Sequence, residues 1–440
     1  MYDAQRINLI NSLSEDLSPY VPFTKEFIPG QTQVLYSGPY WNQKEFQMAM
    51  QALLMGKWIT SGEYVARFQN VFAQYFGVKY AHMVNSGSSA NLVMIAALKK
   101  HFNWQDGDEV IVSPVGFPTT IAPLMQHGLK PVFADIELNT LNFNLDQVEA
   151  KITPKTKAII VSPVLGNPPD MDRLKSMAEY HGIKLIGDNC DSIGTRWNTQ
   201  HINKYYFCWS SSFYPAHHIS TGEGGMVCCD DKRFIDEVRS ISWWGRDCYC
   251  VGAANLLSCG TCGKRFDKWL ENEDAVIDHK YVFTNVGYNL KPLDLQGAIG
   301  LAQMEKMPDI ERRRREYKTK ISQFFAADLP VSTYVRMVET LPQADPCWFG
   351  VPIYCHEQVR KERFVAFLEE NKIQTRSYFA GNILKHPAYK HLDDAAKYPN
   401  ANLALTNVLF IGCAPHYTPE IIKYIGEKVK MWAELEAKRG

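Results

Sequence analysis

The chain has 440 residues, with 47 Lys plus Arg against 47 Asp plus Glu and a formal net charge of zero. That length predicts two to three units, and the balanced charge argues against a dedicated nucleic-acid binder, which carries a basic excess. Hydrophobic content of 46% and charged content of 21% describe a globular chain able to bury a large core, not a disordered one.

The N-terminal segment Met1–Leu17 is amphipathic, contains acids and lacks the apolar centre of a signal peptide. No apolar run approaches the ~18–20 residues of a membrane span. A cytoplasmic protein with no membrane partner is expected. Eleven cysteines in that compartment do not read as a disulfide framework; most read as small buried apolar groups.

Residues 1–30 read as an N-terminal arm broken by Pro19, Pro22 and Pro29. Apolar spacing predicts helices over Lys44–Met55 and Ser61–Tyr75. From Ala81 short apolar runs alternate with helical stretches. Strands are predicted at Ala81–Val84, Glu109–Ser113, Pro131–Ala134, Ala158–Val161 and Lys184–Gly187, with helices such as Ser88–Lys100 and Pro118–Met125 between them. This alternation predicts an α/β fold with a large, mostly parallel sheet, in a domain spanning 31–310, and ligands at the carboxyl ends of its strands. Arg246–Val282, rich in Cys, Gly and Asn and poor in periodicity, reads as an insertion that is functional or disordered. A long helix is predicted from Asn289 to about Ala327, its run Glu311–Arg315 forming a solvated face. The remainder mixes strands and helices and predicts a smaller α+β domain within 311–440.

Three motifs carry chemistry. Asn85-Ser86-Gly87-Ser88-Ser89-Ala90-Asn91 lies between a strand and a helix. Small residues there let the backbone approach an anion at a helix N-terminus, or they form a plain capped turn. Gly187-Asp188-Asn189-Cys190-Asp191 follows an apolar strand, which places the Asp188 carboxylate at a ligand crevice or at a helix cap. The third motif is Ser212-Phe213-Tyr214-Pro215-Ala216-His217-His218-Ile219-Ser220-Thr221-Gly222-Glu223-Gly224-Gly225.

This third run resembles the DegT/DnrJ/EryC/StrS group of sugar aminotransferases, where it reads Ser-Phe-x-x-x-Lys-x-x-x-x-Gly-x-Gly-Gly. The resemblance extends from about Gly38 to the C-terminus. It implies a fold-type I pyridoxal-phosphate (PLP) enzyme. Gly87, Ser88, Ser89 and Ser212 would hold the cofactor phosphate, Phe117 would stack on the pyridine ring, and Asp188 would hold its nitrogen. Asn289, in Val286-Gly287-Tyr288-Asn289-Leu290, would reach the phosphate of a neighbouring subunit, which implies a homodimer. In the family the Lys holds the cofactor covalently; His217 occupies that position here. A histidine can shuttle a proton but cannot make that bond, so the cofactor implied is pyridoxamine 5′-phosphate (PMP). His218 is the weaker candidate for the base. Asp191 and Tyr214 would position His217 or the sugar.

Cys190, Cys248, Cys250 and Cys262 are separated by 57, 1 and 11 residues. This spacing resembles the iron–sulfur branch of the family, the CDP-6-deoxy-L-threo-D-glycero-4-hexulose 3-dehydrases, whose [2Fe–2S] ligands read C-x57-C-x-C-x7-C. The last gap departs from that pattern, and Cys259 is an alternative fourth ligand. Zinc on the same thiols is the rival reading. The resemblance implies reductive C3 dehydration of a nucleotide-linked 4-keto-6-deoxyhexose, carried by CDP. An NADH-dependent iron–sulfur flavoprotein reductase or a ferredoxin would supply electrons. A sugar aminotransferase, a non-redox ketosugar 3-dehydratase and a zinc-stapled non-catalytic homologue are the competing readings.

Overall fold

Short runs of β-branched and other apolar residues with both faces covered build the centre of the molecule. The computed structural model describes residues 2–21, 26–56, 58–248, 265–270, 273 and 275–439. Five strands come first: β1 (Tyr80–Val84), β2 (Glu109–Val112), β3 (Lys130–Phe133), β4 (Thr156–Val161) and β5 (Lys184–Asp188). A small hairpin follows, β6 (Arg196–Trp197) and β7 (Gln200–His201), and then β8 (Cys208–Ser212) and β9 (Gly225–Cys229). The seven-stranded sheet has the order β1-β9-β8-β5-β4-β2-β3. Only β9 runs against the rest: it is antiparallel to both β8 and β1, and the other neighbours pair in parallel.

Alternate residues of each strand enter different cores. Val110 and Val112 pack on one face, and Ile111 packs on the other. Burial on both faces is what a parallel sheet between helical layers requires, and it explains the near-continuous apolar runs. Because six strands share one direction, the chain leaves β1, β4, β5 and β8 at the same edge. That edge is where Ser86, Ser162, Asp188 and Ser212 meet.

Helix Glu63–Phe76 buries Val65, Phe68, Phe72 and Phe76 at three- and four-residue spacing and ends at Gly77, φ +65°. Helix Gln43–Met55 starts from a capping box of Asn42 and Glu45. Residues 2–17 of the expected arm form a helix, Tyr2–Leu17, which lies against Gln43–Met55 with Gln47 donating to Asn11.

A second sheet is antiparallel, formed by Val335–Met337, Gly350–Cys355, Val408–Gly412 and Thr375–Ser377 in that order. Helices Lys361–Glu370 and Pro419–Ala437 cover it. The long helix runs without a break through residue 310 but is shorter than expected, spanning Asp294–Ser322. Asn289 instead bridges Trp243, and Leu293 bridges Thr60; this extended pairing holds the segment before Asp294 out of the helix. The expectation of a solvated Glu311–Arg315 face is also corrected. Glu311 is buried and Arg314 is fully buried, because Tyr75 donates to Glu311 and Arg314 reaches the carbonyls of Trp348, Phe349 and His217. Within the Cys-rich insertion, Lys268–Trp269 pairs with Val276–Ile277. No helix among the described residues is long and apolar enough to cross a membrane.

Candidate active site

The carboxyl edge of the large sheet and one wall of the small domain enclose a cleft of about 1100 Å³. Its floor is the turn after β1. Ser86 caps helix Gly87–His101, its Oγ accepting from the Ser89 N–H at 3.1 Å. The free N–H groups of that first turn and the helix dipole make an anion seat. The seat admits only small residues. A Cβ on Gly87 would fall 2.4 Å from Ser212 Cβ, and one on Gly225 would fall 2.3 Å from the Ser86 carbonyl oxygen. The Ser212 hydroxyl accepts from the Tyr214 N–H at 3.3 Å, and Ser88 donates to Thr119 at 3.2 Å.

Asp188, at the end of β5, is buried, and both carboxylate oxygens accept hydrogen bonds. Oδ2 takes Asn91 Nδ2 at 2.9 Å and Thr120 Oγ1 at 2.6 Å, and Oδ1 takes the Cys190 N–H at 3.3 Å. Asn91 is itself fixed by Ser210, 2.5 Å from Asn91 Oδ1. An oriented carboxylate aimed into a cleft suits a pyridinium nitrogen. Phe117, half exposed in the cleft wall, meets Phe379 edge-on with ring centroids 6.2 Å apart. Sequence alone gives no role to Asn91 or Thr120, although Asn91 closes the phosphate-turn motif and Thr120 lies three residues after Phe117.

His217 lines the cleft between Tyr214 and Phe349, at centroid distances of 6.3 and 5.3 Å. Its Nδ1 is 3.2 Å from Asp191 Oδ1, an ion-pair contact whose angle falls short of a hydrogen bond. Burial pushes the Asp191 carboxyl up, and His217 opposes that shift. His218 points elsewhere: its Nε2–H donates to the Cys347 carbonyl at 2.8 Å, and burial with Arg314 nearby holds its imidazole well below the usual range. His218 is thus a neutral structural group. Arg314 donates to the carbonyls of Trp348 and Phe349, both at 3.0 Å, and to that of His217 at 3.4 Å. It ties the histidine loop to the small domain. Sequence reading placed Arg314 on a solvated face because a basic run on a long helix carries no sign of its burial.

The cleft collects Gly87, Ser88, Ser89, Phe117, Asp188, Asp191, Ser212, Tyr214 and His217 from the expected set. These residues fit a phosphorylated pyridine: a small-residue anion seat, an aromatic face and a buried carboxylate converge on one space. Asn289 is not among the cleft's lining residues; its Oδ1 accepts from Lys291 at 2.6 Å. Cys190 lies in the cleft wall, where burial beside Asp188 and Asp191 pushes its thiol well up. Cys248 is buried. Cys250, Cys259 and Cys262 lie outside the described residues, and among the described residues no group of three or more His, Cys, Asp or Glu is arranged to hold a metal ion.

Residues 41–430 match the DegT/DnrJ/EryC1/StrS aminotransferase family. The chain is 37% identical over 424 residues to a dTDP-4-dehydro-2,6-dideoxy-D-glucose 3-dehydratase of Saccharopolyspora spinosa, covering 94% of this chain and 88% of that protein. It is 35% identical over 423 residues to the lipopolysaccharide biosynthesis protein RfbH of Salmonella typhimurium, covering 94% of each. Among solved structures it resembles an E. coli GDP-4-keto-6-deoxy-D-mannose-3-dehydratase with bound hydrated PLP, at 30% identity and a TM-score of 0.79, covering 90% of this chain and 99% of that one.

Proposed function

The chain belongs to the DegT/DnrJ/EryC1/StrS aminotransferase family, and from that premise we propose that it uses PMP to remove the C3 hydroxyl of a nucleotide-linked 4-keto-6-deoxyhexose. One observation carries the reading. His217, at the lysine position of the family motif that the run Ser212–Gly225 resembles, lines the cleft beside Asp191 and near the anchored Asp188.

When bound, PMP supplies an amine for the sugar ketone and a ring that delocalises electrons. The protein's own groups do the rest. The backbone at Ser86–Ser89 would hold the phosphate, Phe117 would cover the ring and Asp188 would keep the pyridine nitrogen protonated. Asp191 engages His217 at Nδ1, which leaves Nε2 to take a proton and pass one to the departing hydroxyl. Because His217 cannot bond covalently to the cofactor, it stays available for proton transfer throughout. Tyr214 walls the space beside it.

The finer reading is reductive: ketosugar plus NADH plus a proton gives 3-deoxy ketosugar, NAD⁺ and water. Its support is the spacing of Cys190, Cys248, Cys250 and Cys262, with Cys259 as the alternative fourth thiol. A [2Fe–2S] cluster on these thiols would supply one-electron chemistry, refilled by an NADH-dependent iron–sulfur flavoprotein reductase or a ferredoxin. CDP is the proposed carrier, and the proposed assembly is a homodimer in which Asn289 serves the neighbouring phosphate seat.

The test is turnover of CDP-, dTDP- and GDP-linked 4-keto-6-deoxyhexoses by anaerobically purified, PMP-loaded protein with NADH and a reductase, alongside iron and sulfide assays. Loss of the C3 hydroxyl is expected, with about two irons and two sulfides per chain and one NADH consumed per product. Dehydration that needs no reductant would leave the non-redox 3-dehydratase. An amino sugar that retains its C3 hydroxyl would overturn the dehydratase reading.

A further inference from the structure

The cleft is short of positive charge. Three carboxylates line it, those of Asp188, Asp191 and Glu223, whereas Arg376 is the one Arg or Lys among its described lining residues. Asp188 is committed to Asn91 and Thr120, and the phosphate seat at Ser86–Ser89 consists of neutral donors suited to the cofactor. A nucleotide-linked sugar brings a second anionic group, its diphosphate, which needs its own partner.

Arg376 sits on the small-domain strand Thr375–Ser377 with its side chain exposed. Its guanidinium lies over the Tyr36 ring, 4.1 Å from the centroid, and Nη1 donates to the Thr375 carbonyl at 2.7 Å. Stacking on an aromatic face holds the plane of the fork without consuming its N–H groups. One of five donors is committed, and no carboxylate pairs with Arg376 among the described residues. Tyr36 is fixed in turn: its N–H donates to Gln374 Oε1 at 3.2 Å, beside the same strand, and its ring meets Phe410 edge-on. Past Arg376 the backbone turns sharply at Phe379, φ +44°, with its N–H on the Ser377 carbonyl at 2.7 Å. A bulky residue held in the left-handed region is strained, and this turn brings Phe379 against Phe117 and His386 to the same wall. The His386 Nε2–H donates to the Ala380 carbonyl at 2.8 Å.

We infer that Arg376, pre-oriented by Tyr36, is the substrate-binding residue that grips the diphosphate of the nucleotide-linked sugar. The inference rests on the proposed nucleotide-sugar substrate. A planar guanidinium with a free edge matches phosphate oxygens two at a time. Among this chain's own described lining residues it is the strong cationic partner for a diphosphate, and it lies on the small domain, away from the phosphate turn. His386 lines the same cleft.

The test is calorimetric titration of the PMP-loaded protein with CDP, dTDP and GDP, each compared with its nucleoside, for wild type, Arg376→Gln, Arg376→Lys and Tyr36→Leu. The wild type is expected to bind at least one diphosphate far more tightly than the nucleoside. Arg376→Gln is expected to lose roughly tenfold or more of that preference, in keeping with a charge-assisted contact. Arg376→Lys should recover part of it, and Tyr36→Leu should lose an intermediate share. The cofactor absorption band and melting temperature of Arg376→Gln should match wild type, which separates lost recognition from lost folding. Wild-type binding with an unchanged preference in Arg376→Gln would overturn the diphosphate grip and leave the substrate reading standing. No binding of any diphosphate by wild type would overturn both.

Discussion

His217 and Asp191 meet across 3.2 Å in the wall of the cleft, Nδ1 to Oδ1. The contact turns Nδ1 toward a carboxylate and leaves Nε2 on the opposite side of the ring. Replacing Asp191 with Asn keeps the shape and removes the charge. Product formation should fall about 10- to 100-fold with little change in KM, whereas His217→Asn should lose about 10²–10⁴-fold. Both variants should still bind PMP, as read from the cofactor absorption band. Full turnover by His217→Asn would remove this residue from the reaction.

The anion seat has no room for a methyl group. Gly87→Ala places a Cβ 2.4 Å from Ser212 Cβ, closer than any carbon contact allows. The turn must open, and PMP affinity should drop by roughly tenfold or more. Equilibrium dialysis against PMP measures this directly. Gly107 is the control: a Cβ there would meet nothing within 4 Å, although φ is +84°. Alanine at that position strains the backbone and should leave PMP affinity unchanged.

Thr120→Val removes one of the two donors on Asp188 Oδ2 and keeps the side-chain volume. Net loss of one hydrogen bond to a charged group is worth about 1.5–3 kcal/mol. Part of that loss should appear as slower turnover, about tenfold, because the carboxylate gains freedom to leave the pyridine nitrogen. Asn91→Leu removes the other donor and also abandons Ser210, so its effect should be larger and should extend to thermal stability.

His82 predicts a pH dependence of folding. It is buried, 2.8 Å from Ser242 Oγ, and burial lowers its pKa from 6.5 to about 3. The folded pKa lies below the unfolded one, so between these values the unfolded chain binds a proton that the folded chain refuses. Stability from this residue is therefore full above about pH 6.5 and falls as the pH drops toward about 3. At pH 5 the loss relative to pH 7 is about 2 kcal/mol. Urea unfolding at pH 7, 6 and 5 should show a steeper decline in wild type than in His82→Gln; identical slopes would contradict it.

The parallel strands were legible because burial on both faces leaves unbroken apolar runs, and each lies within one or two residues of its expected place. β8 and β9 were not, since Cys208–Ser212 and Gly225–Cys229 are rich in Ser, Cys and Gly and carry little β signal. The phosphate turn, Asp188 and His217 were legible because their chemistry sits in local motifs at strand ends. Arg376, Tyr378, Phe379 and His386 were not, although they line the same cleft. They come from the small domain, more than 150 positions from His217 along the chain, and only the folded sheet brings them near. Arg314 shows the opposite failure, a charged residue whose surroundings no local pattern reveals.

Arg314 gives the cleft a shared fate with the smaller sheet. Its guanidinium reaches the backbone at Trp348 and Phe349, where the small domain begins its central strand, and the carbonyl of His217. Heat that loosens the small domain frees this guanidinium from two of its three acceptors and slackens the loop that carries the base. Activity is then expected to fall before the large sheet unfolds, which activity and circular dichroism followed on one thermal ramp would show.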